Sequence, residues 1–210
     1  MSNIQDKLWY ACYGSNMLED RFLCYIKGGQ PNGAKTVYEG CNDKTLPIEQ
    51  QDFHIPFELY FAKESGTWDN GGVAFIKNKS QRKETTLARI YLITKGQLID
   101  IARQETNTKN DLLLDFESAT SHGHYIFKRP SWYGNLLYLG EHDNYPVFTL
   151  TNENDLEIST KPSESYLNTI INGIKETHSL NHKSIFDYLV TKRGIINNYT
   201  NKELADIINK

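Results

Sequence analysis

The sequence predicts a mixed α+β fold followed by a helical tail, on three observations. Short runs of β-branched and aromatic residues recur between turn residues, at residues 8–13 (LWYACY), 73–76 (VAFI), 86–94 (TLARIYLIT) and 145–151 (YPVFTLT). An amphipathic pattern of Leu18, Phe22, Tyr25 and Ile26 follows the first of them at helical spacing. Beyond Pro162 the patterns are helical alone.

The first strand closes at Gly14-Ser15. Asn16, with Glu19 three residues on, approximates a capping box for a helix that Gly28-Gly29 stop. Residues 33–70 are loop-rich, with two short strands expected around Pro56 within residues 52–62. Gly71-Gly72 lead into the strand at 73–76, and a polar turn containing the densest basic stretch, residues 77–83, joins it to the strand at 86–94. Lys95-Gly96 break that strand, and Leu98, Ile99, Ile101 and Ala102 define a short helix over 97–104 that delivers Gln104-Glu105 into a polar segment. This segment, residues 106–123, is long for a compact domain. It is expected to be a flexible insertion or a lid, with one helical turn at 111–116. Residues 131–139 and 145–151 predict an antiparallel hairpin, with a connection of four or five residues around 141–144. Leu167, Ile170, Ile171 and Ile174 mark one helix face, and shorter helices are expected at 184–192 and after Thr200, where Thr200 and Glu203 make a capping box.

Composition narrows the function classes. The 210 residues carry 23 Lys+Arg against 26 Asp+Glu, a formal net charge of −3, so there is no cationic excess to neutralise a phosphate backbone and no nucleic-acid partner is expected. With 39% hydrophobic residues, including 13 Tyr and 9 Phe, the chain has enough apolar surface to fold alone. No apolar run approaches the roughly 20 residues that span a bilayer, and the first residues do not form a signal peptide. The expectation is a cytoplasmic protein with no membrane partner. Cys12, Cys24 and Cys41 are odd in number and form no CxxC pair, which speaks against a disulfide framework or zinc knuckle. His122-x-His124 has no further ligand at an informative spacing, so no metal and no other cofactor is expected.

A strand that turns through Gly14-Ser15 into a helix aims backbone N–H groups at one spot near the helix's positive end, which suits a carboxylate. Such a turn is ordinarily plain punctuation. Its context gives it meaning. YGSNM (residues 13–17) after an aromatic strand, Trp68 followed by Gly71-Gly72-Val73-Ala74, and Ala88-Arg89-Ile90-Tyr91 with a helix ending in Gln104-Glu105 come in one order. YPVFTLTN (145–152) and then Pro162-Ser163-Glu164-Ser165-Tyr166, with Gly173 and Lys175-Glu176, complete it. This series resembles the gamma-glutamylcyclotransferase family over about residues 8–181.

The resemblance implies a strongly bent, barrel-like mixed β-sheet with flanking helices and a site in a cavity at its mouth. Residues 1–181 would form that domain, and 182–210 a helical extension of it that packs on the core or makes a homodimer contact. It further implies a γ-glutamyl substrate whose α-amine attacks its own γ-carbonyl, closing 5-oxoproline and releasing an amino acid or amine, as in glutathione metabolism. Glu105 would be the general acid/base. The substrate contacts would come from Tyr10, Ala11, Cys12, Tyr13, Gly14, Ser15, Asn16 and Tyr166. Within that set the amides of Tyr13, Gly14 and Ser15 would hold the α-carboxylate or the oxyanion. Asn16 would cap the helix without touching substrate, Tyr10 would line the pocket or merely pack, and Tyr166 would add a phenolic hydrogen bond or fill the core. Two positions depart from the family pattern: Cys12 stands where Ala is common, and Thr106 where Gly usually follows the glutamate.

Other chemistries fit less well. Ser15 lacks the second glycine of a G-x-S-x-G elbow, and Cys12 lies inside a strand with no placed base. The alternatives to a cyclotransferase are a binding protein that keeps the fold without turnover, or an acyl-removing enzyme for a γ-glutamylated natural product.

Overall fold

The computed structural model describes residues 6–31, 36–79 and 85–210. Strand β1 (Lys7–Cys12) is buried along nearly its whole length, as LWYAC requires of a central strand. The chain then makes a 3₁₀ turn (Ser15–Met17) and enters α1 (Glu19–Lys27), which turns Arg21, Phe22, Tyr25 and Ile26 inward. Gly28 ends it at φ 84°, where a Cβ would also meet the Glu39 carbonyl oxygen at 2.8 Å. The next strands are β2 (Glu49–Ile55), β3 (Leu59–Ser65), β4 (Gly71–Ile76) and β5 (Thr86–Thr94). The basic turn expected at 77–83 lies partly outside the described residues.

Helix α2 (Lys95–Glu105) begins earlier than the sequence suggests, because Thr94 and Gln97 form a capping box and Gly96 sits in the first turn. The helical turn expected at 111–116 is displaced: residues 111–115 belong to no helix or strand, and α3 (Phe116–His122) starts where Asp115 accepts from Ser118 N–H. The 106–123 segment is anchored, with Leu114 and Ala119 buried and Phe116 edge-on to Phe148. A short strand not anticipated, β6 (His124–Ile126), follows Gly123. Strands β7 (Asn135–His142) and β8 (Tyr145–Thr151) form the expected hairpin, but the connection is two residues, Asp143 and Asn144, both at positive φ (46° and 64°). That geometry matches the right-handed strand twist and lets the polar Glu141 and His142 stay in the strand. Helices α4 (Glu164–His178), α5 (His182–Leu189) and α6 (Asn201–Ile208) complete the chain, the last with the Thr200/Glu203 capping box.

Among the described residues six strands form one mixed sheet in the order β2-β5-β1-β8-β7-β6, and β3-β4 pair as a separate ribbon. Within the sheet β1 runs parallel to β8 and antiparallel to β5, setting Cys12 opposite Arg89 and Tyr10 opposite Tyr91. The ribbon is tied to β8 by a side-chain bond, Thr151 Oγ1 donating to the Ile76 carbonyl at 2.8 Å. Helix α4 crosses the turn after β1 so closely that a Cβ on Gly173 would stand 2.6 Å from Met17 Cβ. The last helices bury Ile185, Leu189, Leu204, Ile207 and Ile208, and Phe61 N–H of β3 donates to the Arg193 carbonyl. No helix among the described residues is long and apolar enough to cross a membrane.

Candidate active site

A cavity of about 430 Å³ opens where the end of β1, the turn after it, the end of α2 and the start of α4 meet. Tyr10, Ala11, Cys12, Tyr13, Gly14, Ser15, Asn16, Glu105 and Tyr166 all line it. The fold brings these nine together although up to 156 positions separate them, Tyr10 from Tyr166.

Glu105 is the last residue of α2, half-buried in the cavity wall. The preceding Gln104 fixes that helix end by donating to the Tyr25 carbonyl and accepting from Gly40 N–H, at 3.1 and 3.2 Å. Thr106 has φ −98°, which any residue adopts, and its Oγ1 closes the helix on the Ala102 carbonyl. Threonine is therefore tolerated there without redirecting the glutamate. Burial raises the Glu105 pKa; a hydrogen bond from Tyr25, the charge of Arg21 and a hydrogen bond from Asn16 oppose it. The Asn16 amide donates to Glu105 Oε1 at 3.1 Å.

That contact corrects the role expected for Asn16. The 3₁₀ turn, closed by Met17 N–H on the Gly14 carbonyl at 3.0 Å, delays the helix, and Leu18 becomes its N-cap with no side-chain bond. The Asn16 side chain is left to turn inward, onto the carboxylate.

Tyr13 donates to the Leu150 carbonyl, so its phenol fixes the turn against β8. The Tyr166 oxygen accepts from Ala74 N–H at 3.0 Å, and the Ser15 N–H also reaches it. With Ala74 N–H donating to it, the Tyr166 oxygen keeps its own proton as a donor; burial first, offset by the Ala74 amide, takes its pKa to about 12. Burial and the nearby Glu105 push the Cys12 thiol well up, so it stays protonated as part of the wall. Ser15 Oγ accepts from Arg21 Nε at 2.9 Å, and among the described residues it has no imidazole or carboxylate on it to act as its base. His122 sits in α3 against the Ser118 carbonyl and His124 on β6, so the two imidazoles occupy different elements. Among the described residues no group of His, Cys, Asp and Glu converges as a metal site.

Sequence reasoning missed Arg21, Tyr25 and Tyr38 as site residues. Arg21 is only 5% exposed; its guanidinium lies 4.8 Å over the Trp68 ring and donates from Nη2 to Tyr38 Oη at 2.9 Å. Burial opposes its charge, but the phenols of Tyr38 and Tyr25, then Glu105, more than compensate and raise its pKa. The available signal was a cation one turn before Tyr25 on an otherwise apolar helix face. Tyr38 had no such signal, since Gly29 pairs with it backbone to backbone in a loop. Lys128 also lines the cavity, donating to the Thr106 carbonyl and to Thr108 Oγ1.

No protein-family model matches the chain. Over 200 residues it is 34% identical to histone deacetylase 5 of Arabidopsis thaliana, covering 87% of this chain and 30% of that protein. The chain thus spans less than a third of that relative's length. Among solved structures it is similar to a gamma-glutamyl cyclotransferase, with a TM-score of 0.51 and 18% identity, over 97% of this chain and 99% of the other. An uncharacterized human protein is similar at a TM-score of 0.52 and 19% identity, over 98% and 99% of the two chains.

Proposed function

With the gamma-glutamyl cyclotransferase fold as premise, we propose that the chain catalyses intramolecular cyclisation of a γ-glutamyl compound, with Glu105 as general acid/base. The observation that carries the reading is the placement of a carboxyl with burial-raised pKa in the same cavity as the turn after β1.

In this reaction the α-ammonium, whose pKa is about 8, gives a proton to Glu105. The freed amine attacks the γ-carbonyl carbon, Glu105 returns its proton to the leaving nitrogen as the bond to it breaks, and the second proton of the attacking nitrogen passes to the departing amine, which leaves as an ammonium. The products are 5-oxoproline and an amine or amino acid. Because nucleophile and electrophile belong to one molecule, holding the folded conformer supplies about 7 kcal/mol of the barrier or more. Raising the carboxyl's pKa narrows the gap to the ammonium and makes the transfer easier. Arg21, behind Ser15 Oγ, gives the turn side of the cavity a positive field for the substrate's α-carboxylate. In this reading the Tyr166 hydroxyl, which lines the cavity, donates to the developing oxyanion.

The expected result is 5-oxoproline release from one or more of a panel of γ-glutamyl amino acids, γ-glutamyl amines and glutathione. Glu105→Gln should abolish it while substrate-analogue affinity stays within a few fold. Full activity of Glu105→Gln would overturn the assignment.

A second reading is favoured by one observation: the chain matches a segment of a much longer protein named for different chemistry. A module in that setting can bind a γ-glutamyl group without turning it over. Analogue binding with no product from any panel member would select it.

A further inference from the structure

A run of hydrogen bonds leads from Arg21 towards Glu105. Arg21 Nε donates to Ser15 Oγ at 2.9 Å and Arg21 Nη2 to Tyr38 Oη at 2.9 Å, and Tyr25 Oη donates to Tyr38 Oη at 3.1 Å. The Tyr25 hydroxyl lies close enough to the Glu105 carboxyl to lower its pKa, and Asn16, next to Ser15 in the chain, donates to Oε1 at 3.1 Å. We propose, on the reading that Glu105 is the acid/base, that Tyr25 and Tyr38 are positioning residues that carry the influence of Arg21 to the carboxyl and fix its orientation.

In the structure Tyr25 donates to Tyr38, which also accepts from Arg21 Nη2. When Glu105 is ionised, the Tyr25 hydroxyl turns its proton to the carboxylate and Tyr38 keeps its bond from Arg21. When Glu105 holds a proton, it donates to Tyr25, Tyr25 donates to Tyr38, and the second lone pair of Tyr38 is the one facing Arg21 Nη2. Rotation of the Tyr25 hydroxyl alone then lets Glu105 accept and return a proton without losing its neighbours.

The other titratable groups facing Glu105 leave this task to Tyr25. Tyr10, Cys12 and Tyr13 face it from β1, Arg21 and Tyr25 from α1, Tyr38 from the loop before β2, Tyr133 from the segment before β7, and Tyr166 from α4. Lys128 stands beyond Thr106 on the cavity wall. Tyr13 and Tyr133 spend their protons on the Leu150 and Ala74 carbonyls. Tyr166 is held by backbone amides, and Tyr10 is turned to the Cys12 thiol and the Asn16 amide.

The test is a carbon-13 NMR titration of the Glu105 carboxyl in the full chain, assigned with Glu105→Gln, for the native protein, Tyr25→Phe and Tyr38→Phe. Loss of the Tyr25 donor should move the Glu105 midpoint up by about half to one pH unit, and Tyr38→Phe should move it less in the same direction. The acid limb of kcat/KM should move with it, with rate recovered at higher pH and KM within a few fold. A folded Tyr25→Phe protein with an unchanged midpoint overturns the proposal; if that variant does not fold, an unchanged midpoint in Tyr38→Phe does so. The titration needs no turnover, so a silent substrate panel would count against the cyclotransferase reading while these midpoints still decide the roles of Tyr25 and Tyr38.

Discussion

A carboxyl that holds its proton more tightly in the folded chain than in the unfolded one favours the fold at low pH and works against it as pH rises. Glu105 is such a group: burial raises its pKa in spite of Tyr25, Arg21 and Asn16. Its contribution is fully present below the unfolded carboxyl value of about 4.3. It is lost as pH climbs through the raised folded value. Glu105→Gln, which cannot ionise, should therefore gain in Tm relative to the native chain between pH 4 and pH 8 and level off above the folded value. Each kcal/mol relieved corresponds to about 2–4 °C for a chain of this size. An equal Tm difference at both ends of that range would mean that Glu105 titrates normally. The placement of Glu105 on the cavity was legible in the sequence through the order of motifs around it, because the ends of β1 and α2 are set by short local signals. Its neighbours were less so. Asn16 looks like a cap until the 3₁₀ turn takes up the residues that would have been the first helical turn, and Tyr38 reaches the site through a backbone bridge that leaves no pattern.

At the scale of elements, the turn after β1 is held by what packs over it. Helix α4 approaches the turn at Gly173, where an added Cβ would lie 2.6 Å from Met17 Cβ and 2.7 Å from Leu18 N. Gly173→Ala must lift the helix off the turn. A cost of about 1–3 kcal/mol is expected in chemical denaturation, with a rise in KM larger than any exposed Gly→Ala change produces. An unchanged midpoint and KM would show that α4 does not set the turn. Elements were read well where a pattern and its punctuation agreed, as for β5 and the Thr200 capping box. They were misread where one residue does two jobs. Thr94 ends β5 and caps α2, so Gly96, which sits in the first helical turn, reads as a break. Asp143 and Asn144 alone make the β7–β8 turn, so their polar strand neighbours read as loop.

Across the whole molecule, the sheet order could not be read from periodicity, because β1 pairs with β5 on one side and β8 on the other, far along the chain. The implied bent sheet came from resemblance, and the structure supplies the strand order. The residues beyond 181 gave only amphipathic faces; here those faces lie against β3, α4 and one another, with Lys175 Nζ donating to the Ile208 carbonyl at 2.9 Å. One residue joins several of these parts. Arg89, opposite Cys12 in the β1–β5 register, donates to the Met17 carbonyl at 3.0 Å and reaches Glu19 at 3.2 Å and Glu176 at 3.0 Å. A strand, the turn, α1 and α4 thus share a single guanidinium. Opening the turn alone would strand that cation with its partners dispersed, so the turn should behave as part of the most protected unit of the protein and not as a mobile loop. Amide hydrogen exchange at Met17 and Leu18, whose N–H groups close the turn on Gly14 and Ser15, should be as slow as in β1. In Arg89→Met it should become faster than in β1 by 10-fold or more, an order-of-magnitude expectation corresponding to about 1.4 kcal/mol. Fast exchange in the native chain would mean that the floor of the cavity breathes independently of the sheet beneath it.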